Sequence, residues 1–349
     1  MKSKTTIAIP PGVTIKEQLV DRGMSQKEFA FRMDMSQKHI SKLINGEVQL
    51  TSEAALRLEM VLGLPAHFWS NLEIIYREQL VRVQAENEME KDLELMKKIP
   101  YAEMAKNGWV EDTRKAVSRV YNTRQFFEVS QLSLLQKPLI PNIACRRLGE
   151  SEKSDYALLV WAQRAKLEAR KIQVQSIDLE RLKRVVEIIR RMTTKDPYYF
   201  VPELSDQLAK CGIALVFLPQ LSGSYLHGAT FCEGHKIVIG MTVRGKDADR
   251  FWFSLFHELG HVLLGHIYCT EGLCEEDEKA ADVFAQNALI PACKFEEFVK
   301  KQVFDKFAIC EFAKQIDIDA GIVVGRLQRE KYIPFNRYNE LKTHYEFTL

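Results

Sequence analysis

The sequence predicts the α+β class with helix dominant, and three observations carry that expectation. Apolar residues return at helical spacing along residues 15–64 and again along residues 155–192. One uniformly apolar stretch, residues 213–218, is followed by two strand-like segments at 225–231 and 236–240, and these interrupt the helical pattern. An unusually apolar helix at residues 250–265 then carries His257-Glu258-Leu259-Gly260-His261. The expected organisation is an all-α first domain (10–78), a helical coupling region (79–200) and an α+β domain with a helical tail (201–349). A chain of 349 residues has room for all three.

Composition narrows the classes of function. A net charge of +2 is too small to argue for nucleic-acid binding, so any such role must come from a local motif. No run approaches the roughly 18 apolar residues of a membrane span, and residues 1–12 lack a leader's apolar core. Seven cysteines, odd in number and without a Cys-x-x-Cys pair, read as reduced thiols of a cytoplasmic protein. Cys269 and Cys274 flank the histidine motif but are not needed as ligands.

In the first domain, Ile15, Leu19 and Val20 begin a helix that Gly23 ends. Ser25-Gln26-Lys27-Glu28 predicts a capping box, with Phe29, Ala30 and Met33 turned inward. After a turn at Asp34-Met35, Ser36 is placed to cap a helix over residues 37–44. Its apolar members are Ile40, Leu43 and Ile44, which leaves Gln37, Lys38, His39, Ser41 and Lys42 outward. Thr51 caps a further helix through Leu62. Two short helices with a tight turn fit a helix-turn-helix reader, in which amide and basic side chains reach base edges and Gln26 takes a phosphate. Periodicity alone favours a generic small helical bundle with a solvated face.

Sequence detail favours the reader. Gly23-Met24-Ser25-Gln26-x-Glu28-Phe29-Ala30, Ile40-Ser41-x-Leu43-Ile44-Asn45-Gly46 and Ala55-Leu56-Arg57-Leu58 resemble the Xre-type antitoxin repressors of the HigA kind. The resemblance covers about residues 10–78 and implies binding of a double-stranded DNA operator, usually as a homodimer.

The middle carries no catalytic signature. Residues 86–92 read as a charged link, and helices are expected at 155–169 and 176–192, the first with Leu158, Leu159, Trp161 and Ala162 on its buried side. Arg181, Lys183, Arg184, Arg190 and Arg191 give a basic face, read as solvated.

In the last domain, His257 and His261 stand four residues apart and leave one helix face toward a common point. Glu258 lies on the flank of that face, where a carboxylate can act on a water rather than bind a metal. A second helix at 275–290 offers Glu278 as third ligand of a tetrahedral zinc site with its fourth position open. Asp282, one turn further on, is placed to accept a hydrogen bond from a ligating imidazole. Leu264 and Ile267 stand where a metzincin needs glycine and histidine, so His266 reads as a helix-end residue. The Glu-x-x-x-Asp spacing instead suits a zincin-like domain of gluzincin type. Asp247 or Asp249 is expected to cap the motif helix, and the strand around His227-Gly228-Ala229-Thr230 to bind substrate backbone. His227, His235 and Tyr268 are oxyanion candidates by residue type.

Asp249-Arg250-Phe251-Trp252-Phe253-x-Leu255-Phe256-His257-Glu258-Leu259-Gly260-His261, with Glu278-x-x-Ala281-Asp282-x-Phe284-Ala285, resembles the ImmA/IrrE family of metallopeptidases. Gly321-Ile322-Val323-Val324-Gly325-Arg326-Leu327-Gln328 is similar to the tail of its fused members, although Asp319-Ala320 departs from their pattern. The resemblance covers about residues 200–345. It implies a zinc endopeptidase that cleaves a transcriptional repressor, or a co-encoded toxin or regulator. The alternative is an antitoxin-like repressor whose zinc is structural or sensory. Finally, Glu28-Phe29-Ala30-x-x-x-Asp34-Met35 recurs as Glu311-Phe312-Ala313-x-x-x-Asp317-Ile318, expected to serve packing.

Overall fold

Helical spacing in the first third of the chain does produce helices, capped where Ser and Thr precede them. A computed structural model of the chain describes residues 2–3, 6–136, 152–222, 227–242, 247–268 and 274–345. Cys145, Cys269 and the predicted strand residues 225–226 lie outside those described. The chain divides into two compact units, Met1–Glu94 and Leu95–Leu349.

The first unit holds α1 (Gly12–Asp21), α2 (Gln26–Arg32), α3 (Gln37–Ile44), α4 (Ser52–Leu62) and all but the last two residues of α5 (Ala66–Met96). Ser25, Ser36 and Thr51 each accept a backbone N–H at a helix start, at 3.1–3.2 Å. Only half of the expected capping box forms, because the Glu28 carboxylate turns instead to Arg32 at 2.6 Å. Ile15, Leu19, Phe29, Ile40, Leu58 and Trp69 fill the core. Val20, expected to help bury α1, is 72% exposed. Residues 86–92 are not a link: they belong to α5, and Asp92 is buried.

The second unit begins with α6 (Tyr101–Lys106), α7 (Ala116–Phe127), α8 (Glu152–Lys171), α9 (Leu179–Arg191) and α10 (Pro197–Ala209). Three strands follow, β1 (Ile213–Phe217), β2 (Gly228–Glu233) and β3 (Lys236–Met241). Their spatial order is β1-β3-β2, with β1 parallel and β2 antiparallel to β3, so β2 is an edge of the described sheet. Ile237, Ile239 and Met241 enter the main core on one face. Gly240 points the other way, where a Cβ would press on the Trp161 ring of α8 at 2.5 Å. Apolar residues on both faces explain why β1 and β3 lack a polar alternation. Lys236 is buried because its ammonium donates to the Ala169 and Ile172 carbonyls at the C-terminal end of α8. Arg190, read as part of a basic face, is also buried; it pairs with Glu187 and donates to the Ile316 carbonyl.

Five helices complete the unit: α11 (Ala248–Leu263), α12 (Glu275–Leu289), α13 (Ala292–Lys300), α14 (Lys306–Gln315) and α15 (Ala320–Arg329). α11 is central, with Trp252, Leu255, Phe256, Leu259 and Val262 fully buried. Gly260 and Ala281 let α11 and α12 approach closely. Asp247 occupies the start of α11 without a side-chain capping bond, and Asp249 pairs with Lys342 instead of capping. The repeated motif gives α14 and α15 the same turn as α2 and α3, with Asp34 at φ 52° and Asp317 at φ 58°. Ile322, Val323 and Val324 of the second copy are buried, as its packing role requires. Among the described residues no helix is long and apolar enough to cross a membrane.

Candidate metal centre

One helical turn separates His257 from His261 on α11, and their Nε2 atoms lie 3.0 Å apart. α12 brings the Glu278 carboxylate to 3.5 Å from His257 Nε2 and 3.8 Å from His261 Nε2. Tetrahedral ligands about 2.0–2.1 Å from zinc stand about 3.3 Å apart, so the three separations bracket that value. The two imidazoles turn their Nε2 atoms toward one another, an arrangement that a shared metal ion or a shared proton satisfies, and Glu278 supplies a neighbouring negative charge. The donor set therefore fits zinc, and among the described residues it is the group of three such side chains with this convergence.

Asp282, the expected hydrogen-bond acceptor, lies 2.9 Å from His257 Nδ1. An Nδ1–H donating there leaves the Nε2 lone pair for a metal. Asp282 also accepts from Arg329 at 2.8 Å, and the guanidinium of Arg329 stacks over Phe253. Burial would raise the Asp282 pKa, but His257 and Arg329 hold it below the usual carboxylate value. For His257, burial works against the charged ring, yet its bonds to Asp282 and Glu278 prevail and lift its pKa to about 9. Burial and the neighbouring His257 charge push His261 down to about 4.

Glu258 is 6% exposed on the side of α11 that faces β2. The alternation of β2 sets Gly228 and Thr230 on one face, toward this carboxylate. Thr230 donates its hydroxyl to Glu258 Oε2 at 2.6 Å. A Cβ on Gly228 would come within 2.8 Å of Oε1. Burial lifts the Glu258 pKa to about 7, against the opposing pull of His257 and the Thr230 bond. A carboxylate with that pKa can both take and return a proton near neutral pH.

A cavity of about 810 Å³ opens over these residues, with Glu258, His257, Glu278, Phe253, Leu289 and Phe335 in its lining. His227 also lines it, whereas His235 and Tyr268, the other oxyanion candidates, do not. Cys274 sits exposed at the start of α12, outside the converging group.

Thr230, Gly228 and Arg329 had no expected role at Glu258 or Asp282. A threonine set between Ala229 and Phe231 in a strand-like stretch was the available signal for the first. On the first unit, Gln37, Lys38, His39, Ser41 and Lys42 all lie exposed on α3, and Gln26 is exposed at the first position of α2.

Comparison with known proteins gives each unit a family pattern. The helix-turn-helix family pattern matches residues 15–69, and that of the IrrE N-terminal-like domain, a peptidase family, matches residues 210–327. An uncharacterized HTH-type transcriptional regulator, YddM of Escherichia coli (strain K12), is 36% identical over 63 residues, covering 18% of this chain and 67% of that protein. An addiction module antidote protein of a HigA family from Coxiella burnetii is 26% identical. It covers 26% of this chain and 95% of its own, with a TM-score of 0.23. Through its first unit the chain belongs to the DNA-binding helix-turn-helix regulators. Its second unit carries an IrrE-like, metallopeptidase-like domain.

Proposed function

We propose that the second unit is a zinc endopeptidase that hydrolyses one peptide bond in a partner protein, and that the first unit targets the same chain to operator DNA. The observation that carries this reading is the convergence of His257, His261 and Glu278 beside a buried, proton-active Glu258 in one cavity. Zinc held by those three residues supplies a Lewis acid for the scissile carbonyl and a water acidified to a pKa of about 7.

The chain's own groups do the rest. The Glu258 carboxylate takes the proton of the attacking water and passes it to the leaving amine, so proton and charge balance over the cycle. Thr230 holds one carboxylate oxygen, leaving Oε1 for that traffic. Asp282 keeps the His257 proton on Nδ1. The edge strand β2, whose Gly228 lines the cavity, offers backbone groups to an extended substrate. His227 is the candidate for the oxyanion.

In the first unit, Gln37, Lys38, His39, Ser41 and Lys42 enter the major groove, where amide and basic side chains reach base edges and the lysines also neutralise flanking phosphates, and Gln26 takes a phosphate. A homodimer would present two such helices to a two-fold operator. The substrate is a repressor or a co-encoded toxin, whose cleavage relieves repression in the cytoplasm.

The test is metal analysis with substitution. One zinc per chain is expected in the wild type and in Glu258→Gln, with loss in His257→Ala. Zinc retained by His257→Ala would overturn the ligand set. Bound zinc with tight operator binding and no cleavage of any co-encoded protein would make the metal structural or sensory.

A further inference from the structure

His261 is 1% exposed, and its Nδ1 faces the Nδ1 of His266 at 3.0 Å. On an unbroken helix a residue five positions on would lie about 140° around the axis, away from the His261 ring. The chain does not continue that way. α11 ends at Leu263, Gly265 adopts φ 81°, and residues 266–268 form a short 3-10 turn that doubles back. That return sets the two imidazoles edge to face, with centroids 5.2 Å apart.

Of two facing Nδ1 atoms, one must carry the proton. For His261 Nε2 to ligate a metal it must be unprotonated, so His261 Nδ1–H is the donor and His266 Nδ1 the acceptor. The His266 proton then sits on Nε2, and Nε2 faces Asp277 Oδ1 at 3.5 Å. The other Asp277 oxygen accepts the backbone N–H of Cys274 at 3.1 Å, where α12 begins. Asp277 precedes Glu278 in sequence, so the start of α12 serves His261 twice, once through each carboxylate.

We infer that His266, supported by Asp277, is a positioning residue that fixes the tautomer and orientation of His261 for metal binding. The inference rests on the zinc-site reading proposed above. It makes the centre symmetric in logic: His257 is held directly by Asp282, and His261 by Asp277 through one intervening imidazole. His266 is thereby more than a helix-end residue without becoming a ligand.

The experiment is competition for zinc between the full-length protein and a chromophoric chelator, for wild type, His266→Ala, His266→Gln and His266→Leu. Loss of such an orienting partner costs about 10–100-fold in metal affinity. That loss is expected for Ala and Leu. Gln, whose amide oxygen accepts the same proton, recovers most of it. Gln and Leu both fill the space, so their comparison separates the hydrogen bond from packing if the Ala variant fails to fold. Equal affinity for Gln and Leu, or wild-type affinity in Ala, overturns the inference alone. Failure of the wild type to take up zinc overturns the site reading and the inference with it.

Discussion

The hydroxyl of Thr230 donates to Oε2 of Glu258 at 2.6 Å, both groups being buried. Strand β2 thereby fixes the carboxylate on α11 that stands beside the candidate metal ligands. The bond favours the ionised carboxylate and opposes the rise that burial causes. Thr230→Val removes the donor at nearly constant volume. The Glu258 pKa should then climb above about 7, and the acidic limb of the pH–rate profile should move up by about one unit, the worth of one such hydrogen bond. Zinc content should not change. A pH profile that coincides with the wild type's would refute the role of Thr230.

Glu258 also imposes a cost on folding, and its sign follows from the pKa. The folded value, about 7, is above the ordinary glutamate value of about 4.5. Stability is therefore full below about 4.5 and is lost as pH rises through about 7. Glu258→Gln should raise the melting temperature of the metal-free protein at pH 8, by up to about 3 kcal/mol of stability. At pH 4 the gain should be small. A variant equally or less stable at pH 8 would contradict the burial of a charge there.

The tail is tied to the motif helix by Lys342 and Asp249, 2.8 Å apart with both side chains at most 10% exposed. Lys342→Met leaves a buried carboxylate unpaired and should cost about 3–5 kcal/mol. Adding Asp249→Asn should return much of that loss. Thermal unfolding of the three variants measures both effects, and additive losses would show that the pair does not act as a unit.

On the first unit, α3 predicts two kinds of loss. Lys38→Ala should weaken operator and non-specific DNA alike and lower the salt slope by about one. Gln37→Ala should cost about 1–3 kcal/mol on the operator and relax preference at one base pair. Binding titrations across salt concentrations distinguish the two, and identical behaviour would remove the assignment of base and phosphate contacts.

What the sequence made legible was whatever depends on local period. His257 and His261 share a face because four residues are about one helical turn, and Glu278 and Asp282 share one for the same reason. The caps at Ser25, Ser36 and Thr51 were readable because their partners lie three residues away. Partners brought by tertiary folding were not. Thr230 is 28 residues from Glu258, and Arg329 is 47 from Asp282. His266 was close in sequence yet hidden, since its approach to His261 depends on the left-handed turn at Gly265. Charge misled twice: residues 86–92 continue α5 instead of forming a link, and Arg190 is buried against Glu187 and the Ile316 carbonyl.

The most direct test is to incubate zinc-loaded protein with the regulator or toxin encoded beside its gene, and to compare the wild type with Glu258→Gln by mass spectrometry. Discrete fragments sharing one new terminus are predicted for the wild type, and none for the variant at equal zinc content. Fragments from both proteins, or an intact substrate with the wild type, would contradict a peptidase that works through Glu258.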